Sequence, residues 1–98
     1  TGYKEIPMKK MENVSSAYFL RMQVENRSGV LANIAGVFGN NNVSISQIIQ
    51  KSKKKNRAEI VVITDEVKEK NFQDSLAVIS GMSAVEEISS MIRVYGQI

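Results

Sequence analysis

The sequence holds no cysteine, no histidine and no tryptophan, and it has a single proline. Without cysteine there is no disulfide and no thiolate nucleophile. Without histidine the usual neutral-pH general base is missing, along with the ligand types that dominate zinc, copper and haem sites. Neither a catalytic residue nor a metal site is therefore expected. No apolar run approaches the length that spans a bilayer, and residues 1–16 mix Lys4, Lys9 and Lys10 with Glu5 and Glu12, unlike a secretory signal. The expected setting is cytoplasmic, with no membrane partner. Thr1 stands where an initiator Met would, as in a processed chain or a piece excised from a longer one.

What is present suits one ordinary globular domain. At 98 residues, 43% hydrophobic and 23% charged, the chain supports a single core and leaves no room for a separate catalytic domain. The balance of 13 Lys+Arg against 10 Asp+Glu gives a net charge of +3, which raises the question of nucleic acid. Five of those thirteen basic residues lie between Lys51 and Arg57, and without them the remainder would sit at −2. The basic character belongs to one polar loop, whose plain reading is a solvated hairpin tip and whose sharper reading is a phosphate contact.

Residues 1–16 contain Pro7 and no sustained period, so they read as an N-terminal arm or linker, with the domain proper over 17–98. From Ala17, AYFLRMQV alternates with a period of two, setting Leu20, Met22 and Val24 opposite Phe19, Arg21 and Gln23, a strand. A turn-rich stretch, ENRSG, then leads into VLANIAGVFG, where Leu31, Ile34, Ala35 and Phe38 recur at helical spacing. Asn26 or Ser28 suits the helix N-cap, Gly39 and the asparagines after it suit the end, and Gly36 inside predicts a close neighbour. VSISQIIQ, the tract KSKKKN and the β-branched AEIVVIT predict a long hairpin. Phe72, Leu76 and Ile79 mark a second helix after Asp65, stopped by Gly81; Ile88, Ile92 and Val94 mark a last strand, its alternation broken near Met91.

The order βαββαβ predicts an α+β, ferredoxin-like fold, a four-stranded antiparallel sheet with two helices on one face. Two helices cover only one side of such a sheet. Phe19, Ile48, Val61 and Ile63 are expected on the other, which points to a self-association surface. RNA recognition modules share this element order, yet they stack bases on aromatic residues of the first and third strands, and Arg57–Thr64 has none. No nucleic-acid partner is expected. The carboxylates are scattered, and no phosphate-cradling glycine loop occurs.

One place remains for a ligand, the turn between the first strand and first helix. Asn26-Arg27-Ser28-Gly29-Val30-Leu31 brings small polar groups and a side-chain-free glycine to a helix N-terminus, where free N–H groups and the dipole favour a carboxylate. Ser44 at the start of the second strand offers another polar contact. A plain capped turn requires the same residue types, so spacing alone favours the capped turn over a ligand site.

At these residues a resemblance emerges. LRMQVENRSGVLA at 20–32, IAGVFG at 34–39 and Val43-Ser44-Ile45 together resemble an ACT domain, over about residues 17–96. More narrowly, Ile49-Gln50-Lys51, AEIV at 58–61, VKEKN at 67–71 and Ile92-Arg93-Val94 look like the C-terminal domain of bacterial homoserine dehydrogenases. The resemblance implies a non-catalytic regulatory domain that forms a homodimer or higher homo-oligomer. It also implies threonine as amino-acid effector, and a parent enzyme of threonine and methionine biosynthesis that uses NAD(P), with no cofactor in this chain. By the same resemblance Asn26, Gly29, Val30 and Leu31 fall on the ligand-turn positions, with Arg27 and Ser28 between them as further candidates. Ser44 falls where the second strand of a neighbouring subunit contributes a polar group, with Val43 beside it as a candidate. Ser28 stands where that turn usually carries proline, which leaves it less restrained. A purely structural oligomerisation module remains the alternative.

Overall fold

The computed structural model describes residues 14–95. Alternation along the first strand sorts its side chains cleanly: in β1 (Ser15–Glu25) Tyr18, Leu20, Met22 and Val24 are buried, while Phe19, Arg21 and Gln23 face the other way. The strand starts two residues before the expected domain boundary; residues 1–13 of the arm lie outside the described part. Helix α1 (Val30–Asn40) buries Val30, Ile34 and Phe38, four residues apart and so on one face. Next come β2 (Ile45–Ser52), β3 (Arg57–Thr64), a two-residue β4 (Val67–Lys68), α2 (Glu69–Ser80) and β5 (Val85–Tyr95).

The ferredoxin-like arrangement is what forms. β1 is flanked by β3 on one side and β5 on the other, and β2 pairs with β3, all antiparallel. β4 is an unexpected addition. It extends the β3 edge past Asp65 and Glu66, pairing Val67 with Ser16 where β3 had paired Ile63 with Phe19. The second helix therefore begins at Glu69 rather than directly after Asp65, because Val67 is buried as a strand residue.

Both helices lie on one face. Ile34 and Phe38 of α1 and Phe72 and Ile79 of α2 are fully buried over Leu20, Met22, Ile60 and Val62 of the central strands. Each such side chain contributes about 1.5–3 kcal/mol by leaving water. The core holds an aromatic cluster, with Tyr18 stacked on Phe72 at a 3.6 Å centroid distance and Phe38 6.2 Å from Phe72. The Tyr18 hydroxyl donates to Glu69, a buried carboxylate that also accepts from Gln73 Nε2 at 2.7 Å and faces Arg93 Nε at 3.6 Å. That polar cluster ties α2 to the sheet.

Several local expectations are corrected. Ile48 pairs with Val62 and packs against the core, while its neighbour Ile49 pairs with Val61 on the uncovered face; an irregularity between Ile45 and Gln47 shifts the register. The break expected around Met91 falls at Ser89, opposite Arg21/Met22, and a second, unexpected one lies upstream, opposite Gln23/Val24. Open space lies where a Cβ on Gly36 would stand, with nothing within 4 Å, so no close neighbour requires the glycine. Neither Asn26 nor Ser28 caps α1, which starts from Gly29 at φ +86° with no side-chain cap. The α1 end is made by Asn41, whose Nδ2 donates to the Val37 carbonyl at 2.8 Å, and by Asn42 at φ +60°, with Gly39 still inside the helix.

Candidate functional site

The chain leaves β1 by a turn that two backbone hydrogen bonds hold in place. Glu25 N–H donates to the Ala84 carbonyl at 2.8 Å, and Asn26 N–H donates to the Asn56 carbonyl at 2.7 Å. The α2–β5 turn and the β2–β3 hairpin tip are thereby drawn to the same end of the sheet as the β1–α1 turn. Between the β1–α1 and α2–β5 turns lies an open groove of about 500 Å³. One wall is Arg27, Ser28, Val30 and Asn33; the other is Met82, Ser83 and Ala84.

The chemistry of this groove follows from its helix end. Gly29 occupies the left-handed region that side chains disfavour, and the space above it is empty. Without a side-chain cap, the first-turn N–H groups of α1 and the positive end of its dipole suit an anionic group such as a carboxylate. Arg27 adds positive charge, oriented by Glu25 at 3.1 Å, an exposed pair of small energetic weight. Ser28, Asn33 and Ser83 offer hydroxyl and amide groups, and Val30, Met82 and Ala84 an apolar floor.

Of the residues named from the sequence, Arg27, Ser28 and Val30 line the groove and Gly29 shapes its turn. Asn26 is turned toward the hairpin, its Oδ1 accepting from Gln50 Nε2 at 3.4 Å, and Leu31 packs against the core. Val43 is a core residue, and Ser44 Oγ donates to Asp65 Oδ2 at 2.7 Å. These last two follow the far end of an 11-residue helix, about 16 Å from its start at about 1.5 Å per residue. The named set thus divides between the two ends of α1 within one chain. Asn33 was not among the residues expected from the sequence, although it lies three residues after Val30 on the same helical face. Met82–Ala84 gave no local signal, since only the pairing of β5 with β1 brings them there.

A second, larger groove of about 730 Å³ lies at the hairpin tip, lined by Gln23, Ser52, Lys53, Lys54, Lys55 and Arg57. Two of its cations are already engaged, Lys53 with Glu59 at 3.5 Å and Arg57 with Glu86 at 3.3 Å. Glu59 is held below the ordinary glutamate value of 4.5, chiefly by the Gln23 amide, against an opposing effect of burial, with the charges of Lys53 and Arg21 lowering it further. No aromatic side chain lines this groove, and Tyr18 is buried beneath the helices, so the base-stacking platform of an RNA module is absent among the described residues. Among the described residues no three potential metal ligands cluster, and no helix is long and apolar enough to cross a membrane.

Comparison with known proteins decides the family. The family model of the ACT domain matches residues 18–80. The chain belongs to the ACT domain family. Its relatives include a homoserine dehydrogenase of Neisseria gonorrhoeae, 37% identical over 84 residues that are 85% of this chain and 19% of the relative. Another, from Methylobacillus glycogenes, is 32% identical over 83 residues, 83% of this chain and 20% of the relative. This ACT domain thus spans about a fifth of the length of the relatives it matches. A solved homoserine dehydrogenase from Thiobacillus denitrificans superposes with a TM-score of 0.73 and 29% identity, over 97% of this chain and 20% of that one. The ACT domain of a GTP pyrophosphokinase from Chlorobium tepidum, at 14% identity and a TM-score of 0.61, shares the fold over 82% of this chain and 99% of its own. ACT domains are regulatory modules that bind small amino acids and associate with one another.

Proposed function

We propose that this ACT domain is the amino-acid-sensing and dimerising part of a cytoplasmic, NAD(P)-dependent homoserine dehydrogenase, with threonine as its effector and feedback control of threonine and methionine biosynthesis as its role. The chain itself is non-catalytic and holds no cofactor. The observation that carries this reading is the uncapped N-terminus of α1, opening with Gly29 into a groove that Arg27 and Ser28 line. There the effector carboxylate meets backbone N–H groups and the Arg27 charge, and its side chain meets Val30. Asn26 and Leu31 belong to the same turn, the first presenting an amide and the second fixing the helix start. Val43 and Ser44 act from a neighbouring copy, whose corresponding helix end is brought alongside on assembly.

Regulation requires the effector to bind the assembled state more tightly than the open one, since only that difference in affinity shifts the equilibrium. Titration calorimetry with threonine and related amino acids tests the reading. Heat and a raised melting temperature at millimolar threonine are expected; the absence of both would remove the sensing role. The uncovered apolar sheet face also supports the structural alternative, a dimer whose stability ignores every amino acid and is unchanged by Asn26→Ala.

A further inference from the structure

The groove at the hairpin tip carries a charge that the chain does not balance. Four of its six lining residues are cations, Lys53, Lys54, Lys55 and Arg57. The carboxylates around it are already engaged: Glu59 faces Lys53 at 3.5 Å and Arg21 at 3.9 Å, and Glu86 faces Arg57 at 3.3 Å. Lys54 and Lys55 are exposed and have no carboxylate partner among the described residues. The tip is also held in place. Asn26 N–H donates to the Asn56 carbonyl at 2.7 Å, and Lys53 N–H donates to the Arg57 carbonyl at 2.8 Å, which closes the loop. Lys55 and Asn56 stand at φ +62° and +57°, in the left-handed region where glycine or asparagine is the usual choice and lysine is uncommon. A tip that only reverses the chain has no need of lysine there. Lys55 adds a third consecutive cation on a fixed backbone.

We propose that this groove binds a small oligophosphate, either free or as the phosphate chain of a nucleotide. The number of charges selects the class. A single exposed ion pair contributes little in water, so a lone carboxylate or orthophosphate is held weakly. An anion of several charges meets Lys53, Lys54, Lys55 and Arg57 together, and a loop ordered beforehand loses less freedom on binding. Size agrees, since a groove of about 730 Å³ falls within the range of about 300–1,000 Å³ usual for small-molecule clefts. Ser52 adds a hydroxyl to the lining. No aromatic side chain is present there, so a nucleotide base finds nothing to stack on and the phosphates alone are recognised. The same lack disfavours single-stranded nucleic acid. The groove shares no lining residue with the effector groove and does not rest on the sensing role.

Titration calorimetry of the full chain with sodium tripolyphosphate at low ionic strength tests the proposal. One site per chain is expected, with tripolyphosphate about tenfold tighter than orthophosphate, ATP equal to tripolyphosphate, and affinity falling as NaCl is added. Lys54→Gln and Lys55→Gln, at exposed positions clear of the core, should each weaken binding about threefold and together about tenfold. Lys68→Gln, exposed at the opposite end of β1, should leave it unchanged. The absence of saturable binding, affinity indifferent to salt, or equal loss from Lys68→Gln overturns the site. Loss from Arg27→Gln in place of the tip variants would put the anion at the start of α1 and overturn it as well. A single-stranded RNA oligonucleotide that binds more tightly than tripolyphosphate through the same lysines would make the tip a nucleic-acid contact and refute the assignment to a small anion. A chain that binds tripolyphosphate as expected but gives no threonine heat loses the sensing role and keeps this site.

Discussion

Gly29 and Gly36 show how differently one residue type acts along a single helix. Gly29 lies at φ +86°, where an L side chain strains the backbone although the space around it is open. Gly29→Ala is expected to lower stability by about 1–2 kcal/mol in urea denaturation, and to weaken any carboxylate bound at the turn. Gly36 lies inside α1 with ordinary helical φ and no neighbour within 4 Å. Gly36→Ala is therefore expected to stabilise by up to about 1 kcal/mol in the same measurement. Glu59 makes the third prediction. Its depressed pKa, set first by Gln23 and then by Lys53 and Arg21, means that it stabilises the fold when ionised, above the ordinary value of 4.5. That contribution is lost as the pH falls through the lower folded value. The urea midpoint of the wild type should exceed that of Glu59→Gln at neutral pH and converge with it in acid; a constant gap would refute the assignment.

At the scale of elements, α2 is held by what it buries. Phe72 is fully buried and contacts both Tyr18 and Phe38, so Phe72→Ala should cost about 3–5 kcal/mol. Val78 on the exposed side of the same helix should tolerate alanine within about 0.5 kcal/mol, and thermal melts of the pair check the contrast. The elements themselves were legible because β1 alternates at a period of two and α1 and α2 repeat at helical spacing. Less was legible where tertiary pairing overrides local pattern. Val67 follows the β3 edge into β4 before α2 can start, and the irregularity in β2 turns Ile48 inward and Ile49 outward. Half of the groove could be read from the turn chemistry of Arg27–Val30. Its other wall, Met82–Ala84, could not, because nothing in those three residues encodes the Glu25–Ala84 hydrogen bond that places them.

For the whole molecule, the decisive feature is that β1 is one of the two inner strands among the four long ones. It lies between β3 and β5, and its partner on the β5 side is supplied by the last strand, Ala17 meeting Val94. The first strand made is completed by the last. The pairing spans nearly the whole domain in sequence, so loop closure must precede its reward, and refolding should take milliseconds to seconds rather than microseconds. Stopped-flow fluorescence of the tyrosines checks that range. During synthesis the same order leaves one edge of β1 open until β5 emerges, and an exposed edge is a template for other chains. A chain truncated at Gly81 should consequently aggregate, whereas one truncated within the hairpin tip and rejoined by a short turn should stay soluble, a difference that sedimentation of the two lysates would show.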